Sequence, residues 1–148
     1  MNKPDCYIFD LDGTLCNVDH RRQYVATKPR NWDAWNKGLV NDKPHYPVLG
    51  VIQSLTYYYP VFLVSGRSDD YRKETEEWLE KNGVEYNDLY IRKYKDHRDD
   101  TVVKSEIADE IEKTHNILGV FDDRQKVVNM WIKRGIFVFD VGQGKGDF

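Results

Sequence analysis

Asp10 and Asp12 stand two residues apart where an apolar run, residues 6–9, gives way to Gly13 and Thr14 in the stretch YIFDLDGTL. Side chains two apart on a strand point to the same face, so both carboxylates lean toward one point past the strand end. Such a pair repels itself, and burial makes the repulsion worse. It persists beside something positive. A hard divalent cation with oxygen ligands is the usual answer. Mg²⁺ suits a few carboxylates plus a substrate phosphate, and Mn²⁺ can substitute. The competing reading is a solvated turn, because Asp and Gly are common in turns; a buried strand in front of the pair weighs against it.

Two further apolar runs end in polar clusters: Ser65-Gly66-Arg67 and Asp122-Asp123-Arg124. In open parallel sheets, ligands bind beyond the carboxyl ends of the strands. The three ends would then share one edge and bring together carboxylates, a hydroxyl and guanidiniums, a mixture suited to metal plus phosphate. Ser65 and the Gly66 amide can donate to phosphoryl oxygens. Asp123 is the expected third metal ligand, with Asp122 beside it as orienter. The order of the two stays open, since one can instead cap the following helix.

Positioning these groups takes alternating strands and helices. Residues 61–64, 89–91, 117–121 and 136–139 join 6–9 as strand candidates, and their continuous apolar character fits a parallel sheet covered on both faces. Helices are expected over 48–58 and from a cap at Asp69 or Asp70 to Gly83. Two more are expected: from Asp99 or Asp100 with Val103, Ile107 and Ile111 in one stripe, and after Arg124 with Val127, Val128, Trp131 and Ile132 on its apolar side. Residues 17–46 form a polar, irregular insertion, long enough to suggest a job. Within it, NWDAWNKGL reads as a short helix capped by Asn31 and stopped at Gly38. Trp32 and Trp35 read first as packing for that helix and second as a platform for a terminal base. RKYKDHR at 92–98 reads equally as a solvated loop or a contact to backbone phosphates. Tyr57, Tyr58 and Tyr59 read as helix-end packing.

The chain of 148 residues suits one domain, 1–148. A net charge of −3 counts against coating long nucleic-acid tracts, but not against an enzyme that touches a strand end. Cys6 and Cys16 read as reduced thiols. No signal peptide is visible, and no apolar run approaches the roughly 18 residues of a membrane span. A cytoplasmic location without membrane contact is expected.

FDLDGTL, SGR, Lys104 and DDR, in this order, resemble the haloacid dehalogenase superfamily of phosphotransferases. SGRSDDYRKETEEWLEKNGV, RDDTVVKSEI, FDDRQKVVNMWIKRG and the closing GDF narrow the resemblance to the 3′-phosphatase domains of bacteriophage polynucleotide kinase–phosphatases, most closely over 62–148. No G-x-x-x-x-G-K-S/T loop is present, so no kinase domain is expected. The resemblance implies an α/β, three-layer Rossmann-like fold with a mainly parallel sheet and a small insertion after the first strand. It implies phosphomonoester hydrolysis through an aspartyl-phosphate. Asp10 would be nucleophile and metal ligand. Asp12 would act as acid and then base, with its backbone carbonyl on the metal. Ser65 would bind phosphate, Lys104 would stabilise the transferring group, and Arg21 and Arg67 would face substrate. For Arg21, an ordinary surface arginine is the stronger alternative. Asp100, four residues before Lys104, can hold its ammonium or cap the helix.

The expectation is a Mg²⁺-dependent 3′-phosphatase acting on RNA or DNA ends, with 2′,3′-cyclic phosphate as a further substrate. A separate kinase or ligase is the expected partner, and an oligomer is compatible with the sequence. The alternatives are a phosphatase for free nucleotides or other small phosphomonoesters, and a non-catalytic relative that binds metal and a partner. The full set of expected catalytic residues speaks against the last.

Overall fold

The computed structural model describes residues 2–146; Asp147 and Phe148 of the closing GDF lie outside the described residues. The elements are β1 (Asp5–Phe9), β2 (Cys16–Asn17), α1 (Trp32–Lys37), β3 (Lys43–Pro44), α2 (Tyr46–Leu55) and β4 (Val61–Ser68), then α3 (Arg72–Lys81), β5 (Asp88–Arg92), α4 (Asp100–Glu112), β6 (Asn116–Asp122), α5 (Gln125–Lys133) and β7 (Val138–Asp140). The main sheet runs β5-β4-β1-β6-β7 with every pairing parallel. Helices cover both faces, which confirms the three-layer α/β expectation.

The period-two alternation of strand side chains builds two cores. Phe9, Val61, Leu63 and Phe121 face one way and pack with Ile52 of α2, Trp78 and Leu79 of α3, and Trp35 of α1. Cys6, Ile8, Phe62, Val64 and Val120 face the other way and pack with Ala108 and Ile111 of α4 and Val127 and Trp131 of α5. With β1 flanked by β4 and β6, three strand ends are delivered side by side.

Residues 17–46 are more ordered than their polar composition suggests. The antiparallel β2–β3 pair closes the base of the insertion. Between them lie 3-10 turns at Asp19–Tyr24 and Gly38–Asn41 and the helix α1. Asn31 caps α1 by accepting from the Ala34 amide at 3.1 Å, as the sequence predicts.

Several local expectations are corrected. Strand β4 continues through Ser65-Gly66-Arg67 to Ser68 rather than ending at Val64. Neither Asp69 nor Asp70 caps α3, because a 3-10 turn, Asp69–Tyr71, intervenes; the Asp69 carboxylate accepts from the Tyr94 amide at 3.0 Å instead. Asp99, not Asp100, caps α4. Ile132 is 57% exposed, and Tyr57 and Tyr58 are 87% and 83% exposed, so none of the three is packing. Only Tyr59 of that triplet packs inward, edge-on to Tyr7 at 5.1 Å. Among the described residues, no helix is long and apolar enough to cross a membrane.

Candidate active site

Asp10 follows β1 directly, and its amide donates to the Phe121 carbonyl at 3.0 Å, which locks the turn against β6. The chain then reverses at Gly13, whose φ of +86° is open to glycine at little cost. A Cβ built there would meet Asp123 Oδ2 at 2.0 Å, so the glycine also lets the turn lie against that carboxylate. Thr14 Oγ1 sits 3.2 Å from Asp10 Oδ2 and 3.3 Å from Asp123 Oδ1, one proton between two acceptors.

Lys104, on α4, is fully buried and donates to Asp10 Oδ1 at 2.9 Å and Asp122 Oδ2 at 3.1 Å. Burial disfavours its charge, but Asp10, Asp122 and Asp100 outweigh that and hold its pKa well above the usual lysine range. Asp10, Asp122 and Asp123 offer oxygens within 4.8 Å of one another. Three buried carboxylates face one ammonium. Burial, then the Asp122 charge, push Asp10 well above the ordinary carboxylate range despite Lys104. Burial likewise raises Asp123 to about 6, with Asp122 adding to the rise and the bond to Asp10 opposing it. The surplus of negative charge and the all-oxygen donor set fit a hard divalent cation.

Asp122 does not cap α5. Its Oδ1 accepts from the Asp123 amide at 2.9 Å, and its Oδ2 takes both Lys104 and the Trp131 indole N–H, the latter at 3.3 Å. Asp122 is thus largely occupied by protein donors.

Asp12 has a separate electrostatic partner set. Its Oδ1 accepts from Arg21 Nη2 at 2.6 Å, Arg67 Nη2 at 2.6 Å and Arg67 Nε at 3.1 Å. Burial alone would raise its pKa; Arg67 and then Arg21 overcome that and hold it below the usual carboxylate range. The positive charge demanded by the two adjacent carboxylates is therefore divided, with Lys104 for Asp10 and a pair of arginines for Asp12.

Arg21 is 1% exposed, so it is neither a surface arginine nor on the wall of the cavity described below. Its guanidinium is held by Asp42, by the Trp35 carbonyl at 3.0 Å and by the Trp35 ring, 4.3 Å from its centre. Asp42 is buried and also meets His20 Nε2 at 2.6 Å. Arg67 lines the cavity but is spent largely on Asp12 and on Thr75 Oγ1, at 3.1 Å.

A cavity of about 820 Å³ opens over these groups. Asp10, Asp12, Gly66, Arg67, Asp100 and Lys104 line its base. Its walls come from the insertion on one side (Arg30, Trp32, Asn36) and from residues 94–98 on another. Ser65 is not on the wall: it is 1% exposed, and its Oγ accepts from the Arg67 amide at 3.1 Å. Gly66 forms the wall in its place, where a Cβ would meet Asp100 Oδ1 at 2.1 Å. Asp100 holds cations, pairing with Arg92 at 3.1 Å, Arg124 at 3.3 Å and, more loosely, Lys104 at 3.8 Å.

Sequence reasoning missed Asp42 and Thr14 as parts of the site, and had Arg92 only within the 92–98 run read as a solvated loop or a contact to backbone phosphates. Thr14 was within reach of inspection because it belongs to the D-x-D-G-T turn. Asp42 carries no local signal, and only the tertiary fold brings it in.

A three-layer parallel sheet that gathers buried acids and a lysine at the carboxyl ends of its central strands is the arrangement of a haloacid dehalogenase-type phosphatase. Within that class, the chain belongs to the polynucleotide kinase PNKP phosphatase domain family, whose family model matches residues 4–148. It is similar to a protein of Autographa californica nuclear polyhedrosis virus named for bifunctional polynucleotide kinase/RNA ligase activity, at 27% identity over 132 residues, 86% of this chain and 18% of that protein. A chain in the solved Pnkp1/Rnl/Hen1 RNA repair complex matches with a TM-score of 0.81 and 31% identity over 93% of this chain and 42% of that one. A haloacid dehalogenase-like hydrolase from Streptococcus pneumoniae shares the fold, with a TM-score of 0.65 at 10% identity over 91% of this chain and 83% of that one. The chain thus spans less than half the length of the first two relatives.

Proposed function

We propose that the chain removes the terminal 3′-phosphate from a polynucleotide, RNA or DNA, leaving a 3′ hydroxyl suited to a ligase. The observation that carries this reading is the buried cluster of Lys104 between Asp10 and Asp122, with Asp123 in reach, under a cavity lined by Arg67, Arg92 and Arg124. Guanidiniums on a cavity wall suit phosphate oxygens, and family membership supports a polynucleotide as the phosphate donor.

Asp10, Asp123 and the Asp12 backbone carbonyl would hold Mg²⁺, while Asp122, already engaged by Lys104 and Trp131, orients the cluster. The cation screens the repulsion between carboxylate and phosphate. Asp10 attacks phosphorus, the bond from phosphorus to the 3′ oxygen breaks, and Asp12 gives a proton to the leaving oxygen. Water then attacks phosphorus, Asp12 takes a proton from it, and the bond to Asp10 breaks. To carry a proton, Asp12 must lose part of its arginine contact. A phosphoryl group is a competing acceptor for Arg67, which reaches the cavity. Lys104 stabilises charge on the transferring group. The Gly66 amide is its expected phosphate donor, with Ser65 beneath it.

The test is Asp10→Asn. It should leave a folded protein that hydrolyses neither an aryl phosphate nor a 3′-phosphorylated oligonucleotide; surviving activity rejects Asp10 as nucleophile. Wild-type preference for mononucleotides over the oligonucleotide rejects the end-healing reading.

A further inference from the structure

Trp32 has no part in the chemistry above, yet it stands on the cavity wall and remains 45% exposed. Single exposed rings are common on protein surfaces; this one is set apart by its place on the wall of the cavity that holds Asp10 and Lys104. The ring is also braced. It meets Trp35 edge-on, with centroids 6.4 Å apart and planes at 88°. Trp35 is itself buried at 3% exposure and pinned beneath the Arg21 guanidinium. The Arg30 guanidinium lies 5.8 Å from the Trp32 ring. A half-exposed indole is therefore held on a rigid mount, in the same cavity whose base carries Asp10 and Lys104.

The cavity volume falls within the roughly 300–1,000 Å³ typical of small-molecule sites. That leaves room for more than a phosphoryl group. A preset aromatic face beside a phosphate-binding base suits a nucleobase, because every base has a π-face and stacking tolerates sequence. A sugar or an aliphatic phosphomonoester presents no such face.

Resting on the reading of the preceding subsection, we infer that Trp32 stacks on a base at the 3′ end of the bound polynucleotide and selects nucleobase-bearing ends over other phosphomonoesters. Trp35 acts only as its mount.

The experiment compares three phosphomonoesters: a 3′-phosphorylated oligonucleotide with ordinary terminal bases, the same oligonucleotide with abasic residues at its 3′ end, and methyl phosphate as a small ester. Wild type, Trp32→Ala and Trp32→Tyr are assayed on each. Binding of the two oligonucleotides is also measured in the Asp10→Asn background by fluorescence anisotropy. Trp32→Ala should lose roughly tenfold to a hundredfold in kcat/KM on the base-bearing end, mainly through KM. It should lose nothing on the abasic end or on methyl phosphate, and Trp32→Tyr should recover most of the loss. The anisotropy Kd should follow the same pattern. An equal loss on all three substrates makes Trp32 merely structural and overturns the inference, as does no loss on the base-bearing end. A wild type that hydrolyses methyl phosphate and neither oligonucleotide instead overturns the polynucleotide reading itself.

Discussion

Arg21 and Asp42 are joined at two points, Nε to Oδ1 at 2.9 Å and Nη2 to Oδ2 at 2.6 Å, and the same Nη2 reaches Asp12 at 2.6 Å. The insertion thus places a cation against a carboxylate of the β1 turn. Asp42→Ala would leave buried guanidiniums short of a partner, which typically costs about 3–5 kcal/mol. The expected result is a clear fall in the urea midpoint together with loss of phosphatase activity. A variant of wild-type stability would show that Asp42 is dispensable to the network.

Lys104→Gln removes the ammonium between Asp10 and Asp122. Activity should fall by roughly a hundredfold or more, the scale of losing one preorganised charge-stabilising donor. Steady-state kinetics on an aryl phosphate measure it, and the loss should appear in kcat rather than KM.

Gly13→Ala should be harmful on two counts. A φ of +86° is strained for alanine, and its methyl would overlap the Asp123 carboxylate. Strained backbone alone costs on the order of 1–3 kcal/mol. Thermal unfolding should show the loss, and activity should fall with the displaced carboxylate. An unchanged melting temperature would argue against this turn geometry.

Adding Mg²⁺ should raise the melting temperature of the cation-free protein, by an amount equivalent to about 2.7 kcal/mol at a hundred times Kd. Asp123→Asn should largely abolish that gain. Asp122→Asn should instead lower stability without added cation, because Asp122 is held by Lys104 and Trp131. If the two variants behave alike, the division of labour between these neighbours is wrong.

The pH limits of stability have opposite signs. Cys6 is fully buried, and burial, with Asp5 and then Glu112 adding to it, raises its pKa to about 12. A thiol raised above its unfolded value near 8.5 stabilises fully below that pH and loses its contribution as pH rises toward 12. Cys6→Ala should flatten this alkaline decline in melting temperature. Asp99 is lowered by its bond to Lys126 and then by the Thr101 amide and hydroxyl. Its contribution is present above about pH 4 and fades as pH falls through its folded value. Half-exposed as it is, the effect should be small. Asp99→Ala should remove it along with roughly 1 kcal/mol of helix capping.

Much of this was legible in the sequence because a parallel sheet converts the position of a strand end into a position in space. Asp10, Asp122 and Asp123 each follow a buried run, and the sheet order β4-β1-β6 brings the latter two to the first. Lys104 needed the family resemblance, since a lysine on a helix looks the same whether buried or solvated. Periodicity reports that a helix exists but not how deep it lies, hence the misplaced Ile132. Asp69 and Asp70 had the chemistry of caps, and the intervening turn moved the helix start beyond them. Arg21 was expected to face a ligand, but an arginine satisfies a carboxylate of its own chain equally well; Arg67 both meets Asp12 and lines the cavity. Asp42 could not have been singled out, because one acid in a polar segment gives no sign of the burial that the fold imposes.

Arg21 at one end of the insertion and Asp42 at the other are sewn into the catalytic floor, whereas residues 26–29 between them are exposed and off the cavity wall. A change of length in that outer rim would leave both stitches, and the carboxylate they hold, where they are.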